Sequence, residues 1–287
     1  MAPTAKAGGG AIDNKMAALD DRLRSLGRVV VAFSGGADSA FLAWAAIRSL
    51  GHRMVLAATA VSPSLAPEEL DDCRLLAHEW GMRWCQVATA EMSDPAYEAN
   101  DMLRCYHCKG HLLDALGPLA GPLSATVVLG VNIDDLGDHR PGQQAAIERG
   151  AVFPLVDAGF TKADVREASR RAGLRTWDKP AGACLASRLP YGTPVTLGTL
   201  TTVGRAESGL RALGFRQVRV RHYGDLARIE IEVADIPRVV EYREDVIAVV
   251  RRAGYRYVTL DLEGFRSGNL NQALVMAGPS PAERQAR

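Results

Sequence analysis

Four short stretches of the sequence carry side chains suited to chemistry. Trp177-Asp178-Lys179-Pro180-Ala181-Gly182-Ala183-Cys184-Leu185-Ala186-Ser187-Arg188-Leu189-Pro190-Tyr191-Gly192 sets Cys184 between two cations, Lys179 and Arg188. Neighbouring cations lower a thiol's pKa from about 8.5 and enrich the nucleophilic thiolate. Ser34-Gly35-Gly36-Ala37-Asp38-Ser39 offers glycines, hydroxyls and one carboxylate where a helix would begin. Backbone N–H groups and the positive helix end hold polyphosphate at such a place, and Asp38 suits a magnesium ion better than a phosphate. Gly130-Val131-Asn132-Ile133-Asp134-Asp135-Leu136-Gly137-Asp138-His139-Arg140-Pro141-Gly142 crowds three aspartates and an arginine into one loop. Arg104-Cys105-Tyr106-His107-Cys108-Lys109 is a Cys-Xaa-Xaa-Cys, which by itself fits a redox pair, half of a zinc site or two incidental thiols.

The surrounding pattern supplies the scaffold. Val29-Val30-Val31-Ala32-Phe33 reads as a buried strand that leads into the glycine loop and then an apolar helix through Leu50. Strands at Met54 to Thr59, Trp84 to Ala88 and Thr126 to Gly130, with a helix over Pro67 to Trp80, continue the alternation. The fold class is therefore α/β, a parallel sheet with helices on both faces, and ligands belong at the carboxyl ends of its strands. Beyond Cys184 the pattern changes. Thr196 can cap a helix that Gly214 ends, Gly224-Asp225 can turn a hairpin between Gln217 to Tyr223 and Leu226 to Val233, and a helix over Asp235 to Ala253 precedes a strand at Tyr255 to Leu260. This divides the chain into a disordered tail 1–15, a nucleotide domain 16–185, a small α+β substrate or oligomerisation domain 186–276 and a disordered tail 277–287. In the hairpin, Arg219 and Arg221 alternate along one strand and share a side. They make either a phosphate clamp with Ser187 or an ordinary solvated face.

Composition narrows the function classes. The 287 residues are 47% hydrophobic and 23% charged, with a net charge of +1, which disfavours a nucleic-acid partner. No segment approaches the ~20 apolar residues of a membrane span. Met1 to Gly10 lacks a secretory pattern, which implies a cytoplasmic protein, and five cysteines are an odd number for a disulfide framework. Cys73 and Cys85 read as buried structural thiols. The loop lacks the Gly-Lys-Ser/Thr ending of a Walker sequence, which disfavours γ-phosphate transfer. A strand-to-helix turn using glycine for steric reasons is the plain alternative.

Ser-Gly-Gly-Xaa-Asp-Ser after a buried strand resembles the PP-loop of the N-type ATP pyrophosphatases. Taken with the 130–142 and 177–192 blocks and Asp261-Leu262-Glu263-Gly264-Phe265-Arg266-Ser267-Gly268, the chain resembles, from about Leu19 to Asn271, the LarE family. These are ATP-dependent sacrificial sulfur transferases that contribute to the nickel-pincer nucleotide of lactate racemase. The resemblance implies a PP-loop domain that binds ATP and Mg2+ through Ser34, Gly35, Gly36, Asp38, Ser39, Thr59, Gly130, Asp134, Asp135 and Arg140. It implies adenylation of a carboxylate of a pyridinium dicarboxylate mononucleotide, attack by Cys184, and loss of the sulfur to leave dehydroalanine. Ser187, Arg188, Arg219, Arg221, Glu207 and Glu230 are the implied substrate contacts, the two glutamates alternatively facing a metal. Some members hold a [4Fe-4S] cluster on three thiolates, and Cys105, Cys108 and Cys184 fit that pattern. The sulfur source then stays open between Cys184 and a cluster-bound sulfide. The family also implies a homo-oligomer. An amide-forming synthetase, a tRNA thiolation enzyme and a non-catalytic ATP sensor are the competing readings.

Overall fold

A computed structural model describes residues 9–136, 141–180 and 182–266, so Arg140, expected at the nucleotide, lies outside the described residues. The chain divides into two compact units, Met1–Gly182 and Ala183–Arg287. Cys184 thus belongs with the second unit, whereas the sequence pattern sets the boundary after residue 185. The reason is local: Arg188, in the turn that follows Cys184, is tied to Glu207 of the same unit.

In the first unit the chain runs α1 (Gly9–Leu26), β1 (Val29–Ala32), α2 (Ala37–Leu50), β2 (Val55–Val61), α3 (Pro67–Glu79), β3 (Trp84–Ala88), α4 (Pro95–Glu98), α5 (Arg104–Leu123), β4 (Thr126–Leu129), α6 (Pro141–Glu148), α7 (Pro154–Asp157) and α8 (Lys162–Arg171). The strands pair in the order β3-β2-β1-β4 and every pairing is parallel. A parallel sheet covered on both faces needs strands that are apolar throughout, and β1 is such a strand. Val29, Val31 and Phe33 enter one core with Leu19 and Leu23 of α1 and Phe41 and Leu42 of α2. Val30 enters the opposite core with Leu113, Leu116 and Ala120 of α5 and Leu129 of β4. Helix α1 already begins at Gly9, within the stretch read as a tail. Ile12, Met16, Leu19 and Leu23 recur on its inner face, and their burial against α2 holds it.

The order of connections matters for function. After β1 the chain moves outward to β2 and β3, then returns to the other side of β1 as β4. The carboxyl ends of β1 and β4 therefore flank the point where strand order reverses, which is where open α/β sheets bind ligands.

The second unit runs α9 (Leu197–Ala212), β5 (Val218–Tyr223), β6 (Leu226–Ile231), α10 (Ile236–Glu241), α11 (Arg243–Ala253) and β7 (Tyr257–Leu260). Strands β5 and β6 form the expected antiparallel hairpin through Gly224, whose φ of 62° suits glycine, and β7 joins β6 in parallel. Thr196 caps α9 by accepting from the Thr199 N–H. The helix read over 235–253 is two helices that meet at Tyr242. Val239 and Val246 stand seven residues apart and both enter the core, so the apolar period reads straight through the joint. Val218, Val220, Ala227, Ile229 and Ile231 fill the apolar face of the hairpin with α9 and α11 residues. Arg219, Arg221, Arg228 and Glu230 occupy its other face.

Candidate functional site

The loop after β1 is built to end a strand and start a helix in little space. Gly35 turns with φ +67°, and a side chain there would strike the Cys73 sulfur at 2.9 Å. Gly36 caps α2, and its carbonyl accepts from the Ala40 N–H and the Ser39 hydroxyl. Ser34 and Ser39 lie together, their hydroxyl oxygens 3.1 Å apart. Beneath the loop, the Thr59 hydroxyl donates to the Phe33 carbonyl at 2.7 Å and accepts from the Trp84 indole N–H at 2.8 Å. Thr59, read as an ATP contact, is buried with its hydroxyl committed on both sides, so that side chain supports the loop from below. Cys73 is also buried there, and burial pushes its thiol up to about 11.

The loop after β4 closes onto this one. At Gly130 an added Cβ would lie 2.8 Å from the Ser39 nitrogen and 2.9 Å from the Asp38 carbonyl carbon. Glycine is required because β4 ends against the first turn of α2. The buried Asn132 side chain donates to Asp38 Oδ1 at 3.1 Å. Asn132 also caps the turn Ile133–Asp135: its oxygen accepts from the Asp134 N–H, and Asp135 accepts from the Asn132 N–H. Asp134 accepts from the Lys162 N–H at the start of α8. Burial raises the Asp38 carboxyl above the usual carboxylate range and Asp135 adds to the rise, while the Lys162 charge and the Asn132 hydrogen bond oppose it. A desolvated carboxylate beside a second acid is a fit for a divalent cation, which would be held by Asp38 and Asp135. Asn132 and Lys162 were not among the sequence candidates. The signals were present, a strand-end Asn before two aspartates and a Lys after a Thr cap, but the 94-residue separation of Asn132 from Asp38 hides their contact.

In the second unit the turn Leu185–Arg188 places Cys184 at its head, exposed. The Cys184 carbonyl accepts from the Ser187 N–H at 3.0 Å, the Ser187 hydroxyl at 2.7 Å and Arg188 Nη1 at 2.9 Å. Arg188 is fully buried and grips Glu207 with two bonds, Nε to Oε1 at 2.7 Å and Nη2 to Oε2 at 2.9 Å. Glu207 accepts also from Arg211 at 2.8 Å and from the N–H of Val220 on the edge strand β5 at 3.0 Å. Burial works to raise its pKa, but the Arg188 charge and these hydrogen bonds hold it below the usual value. Arg221 joins the turn to the sheet by donating to the Ser187 carbonyl and to Glu230 at 2.8 Å each, and Arg228 donates to the other Glu230 oxygen at 2.9 Å. Arg219 lies beside Phe265, with burial and the Arg188 charge depressing its guanidinium to about 10.

Arg219 and Arg221 are both buried, which disposes of the solvated-face reading. With Ser187, Arg188, Glu207 and Glu230 they form one cluster. Among the described residues, five guanidinium groups, those of Arg188, Arg211, Arg219, Arg221 and Arg228, face the carboxylates of Glu207, Glu230 and Asp261. A cluster this rich in guanidinium groups suits a phosphate monoester, which carries about two negative charges. The Ser187 hydroxyl is turned to the Cys184 carbonyl instead of standing open as a phosphate donor. Lys179, read as a neighbour that activates Cys184, bonds to Glu69 at 2.9 Å and Asp72 at 2.5 Å on α3. Its amine is thereby spoken for within the first unit.

Cys105 and Cys108 stand one helical turn apart in the first turn of α5, Cys105 exposed and Cys108 half-buried. That spacing fits two thiolates on one soft metal or cluster. On the same helix His107 and His111 flank Asp94, with His111 Nε2 at 2.9 Å, and the His111 hydrogen bond lowers the Asp94 pKa. Among the described residues no three His, Cys, Asp or Glu side chains are grouped to hold a metal ion, and no helix is long and apolar enough to cross a membrane.

No protein-family profile matches the chain. An uncharacterised protein of Synechocystis sp. is 47% identical over 266 residues, which cover 92% of this chain and 99% of that one. One of Methanocaldococcus jannaschii is 26% identical over 241 residues, 84% of this chain and 91% of that one. The pyridinium-3,5-bisthiocarboxylic acid mononucleotide synthase of Lactiplantibacillus plantarum is 39% identical over 264 residues, 92% of this chain and 96% of the synthase. Identity at that level along nearly the full length of both proteins establishes kinship, and the chain belongs to the LarE family.

Proposed function

We propose that the chain is an ATP-dependent sulfur transferase that makes a thiocarboxylate on a pyridinium dicarboxylate mononucleotide, a step toward a nickel-pincer nucleotide. The observation that carries this reading is the meeting of the 34–39 and 130–135 loops at the sheet's switch point, through Asn132 and Asp38, in a relative of the synthase. There the loop N–H groups receive the ATP phosphates, and Asp38 and Asp135 would hold Mg2+, which when bound would screen the charge of the departing pyrophosphate. The substrate carboxylate attacks the α-phosphorus, and its oxygen leaves with AMP in the next step. The buried guanidinium groups of Arg219 and Arg221 bind the substrate phosphate, and Cys184 attacks the acyl carbon to form a thioester. Loss of the Cys184 Cα proton then releases the thiocarboxylate and leaves dehydroalanine. One chain supplies one sulfur, so a bisthiocarboxylate consumes two chains. When bound, a cluster on Cys105 and Cys108 with Cys184 would supply a sulfide as the alternative sulfur source.

Intact-protein mass spectrometry tests the reading. Purified protein is incubated anaerobically with ATP, Mg2+ and pyridinium-3,5-dicarboxylate mononucleotide. Loss of about 34 Da, the mass of hydrogen sulfide, at Cys184 supports transfer from the cysteine. Sulfurated product from an unchanged polypeptide with bound iron supports the cluster source. Pyrophosphate with amide product moves the protein to the synthetases, and pyrophosphate with a thiolated tRNA to tRNA modification. ATP binding without pyrophosphate makes it a sensor.

A further inference from the structure

The peptide carbonyl of Cys184 receives more donors than its turn requires. The Ser187 N–H at 3.0 Å is the ordinary bond of a 3-10 turn. The Ser187 hydroxyl at 2.7 Å and Arg188 Nη1 at 2.9 Å are additional, and one of them is cationic. A peptide oxygen has two lone pairs and little charge to occupy three donors, whereas an oxyanion in that place would use all of them. The donors are also fixed in advance. Arg188 is locked by its fork on Glu207, and Nη1 spans the Ala183 carbonyl at 2.7 Å and Ser187 Oγ at 2.8 Å. Arg221 holds the Ser187 carbonyl from the other side at 2.8 Å. Such rigidity around an unreactive carbonyl has a purpose if that carbonyl becomes charged.

We propose that Ser187 and Arg188 form an enolate hole for the main-chain carbonyl of Cys184, acidifying its Cα–H so that sulfur leaves by elimination. The inference rests on the proposed acylation of Cys184. In the acylated chain a solvent base takes the Cα proton, since Cys184 is exposed. The C–H electron pair forms the Cα=C bond of the enolate, and the carbonyl π pair moves onto the oxygen held by Ser187 and Arg188. The enolate then collapses: the Cα=Cβ bond forms, the Cβ–S bond breaks, and sulfur departs with its electron pair as the thiocarboxylate. No oxidant or reductant is needed. Ser187 and Arg188 contact the reacting residue itself, so both are catalytic residues in this step, distinct from the substrate contacts at Arg219 and Arg221.

The test separates acylation from elimination in a single turnover, with the acid-quenched chain weighed at intervals. Wild-type protein passes through a transient acyl adduct at Cys184 and ends about 34 Da lighter. The Ser187→Ala chain forms the adduct and eliminates on the order of 100-fold more slowly, the usual effect of losing one oxyanion donor, so the adduct accumulates. Arg188→Lys, which keeps the charge and loses the fork, accumulates it too. General structural damage would lower adduct formation and would not build up the adduct. Elimination by the Ser187→Ala adduct at the wild-type rate overturns the assignment, as does a Ser187→Ala chain that forms no adduct while wild type does. Wild-type protein that never acquires the adduct overturns the underlying acylation instead, and the enolate hole with it.

Discussion

Replacing Glu207 by Gln asks whether the second unit is organised around one buried carboxylate. Glu207 is fully buried and accepts from Arg188 twice, from Arg211 and from the Val220 N–H. Glutamine keeps the shape and removes the charge. One of its two heads is then a donor turned toward guanidinium donors, and Arg188 is left buried without its counter-ion. Removing one member of a buried pair costs about 3–5 kcal/mol, mostly through the charge left behind. At a urea slope of about 2 kcal/mol per molar, that lowers the midpoint of the second unit by roughly 2 M. The pH dependence follows from the sign of the shift. Glu207 has a folded pKa below its ordinary value of 4.5. Its stabilisation is therefore fully present above pH 4.5 and is lost as pH falls through the depressed folded value. Urea unfolding followed by circular dichroism from pH 7 to pH 3 should show wild-type stability falling in that acid window, and Glu207→Gln should be weaker at pH 7 with a flatter slope. Arg188→Met with Glu207→Leu should be less destabilised than Glu207→Gln, because neither member of the Arg188–Glu207 pair is then left buried without the other. A Glu207→Gln chain within about 1 kcal/mol of wild type, or one with an unchanged acid slope, refutes the reasoning.

Other consequences are as direct. Asn132→Ala frees Asp38 from its hydrogen-bond donor and should raise the Mg2+ concentration needed for half-maximal pyrophosphate release about tenfold or more, measured by phosphate-coupled assay. Because burial raises the Asp38 pKa and a cation binds the ionised form, Mg2+ affinity should weaken as pH falls through that raised value, and Asp38→Asn should abolish the dependence in a calorimetric titration. Gly130→Ala sets a methyl 2.8 Å from the Ser39 nitrogen and should cost about 1–3 kcal/mol in thermal unfolding of the first unit. With its thiol at about 11, Cys73 ionises roughly one part in a thousand at pH 8, so brief alkylation followed by peptide mapping should label exposed Cys105 and leave Cys73 unmodified.

The first unit was largely legible because its strands obey simple rules. A run such as Val29 to Phe33, apolar at every position, has one good explanation in a chain with alternating helices: a strand covered on both faces. Helix α5 was not legible. Gly110, Gly117, Pro118, Gly121 and Pro122 give Arg104–Leu123 the look of loop, and the helix exists because Leu113, Leu116 and Ala120 are buried against the sheet. Local propensity was overridden by packing, and the Cys-Xaa-Xaa-Cys pair could not be placed one helical turn apart until that was known. The joint at Tyr242 was hidden for the opposite reason, since the apolar period there is too regular.

The chemistry was legible to the same depth and failed at the same kind of point. Residue types suited to a reaction, a serine-glycine loop, a thiol between cations and alternating arginines, could be picked out as types. What those groups bond to was not readable. Lys179 and Arg188 look equivalent beside Cys184 in the sequence, yet Lys179 is bound by Glu69 and Asp72 while Arg188 reaches the Cys184 carbonyl. Sequence distance cannot separate them, because each is set by a carboxylate that lies far off in the chain. Glu207 decides for Arg188, 19 residues away, and α3 decides for Lys179, 107 or more residues away. Anion partners placed by tertiary structure thus assign one cation to the scaffold and the other to the Cys184 carbonyl. Swapping Lys179 for Met should accordingly lower the stability of the first unit, whereas Arg188→Lys should change the fate of the acylated cysteine.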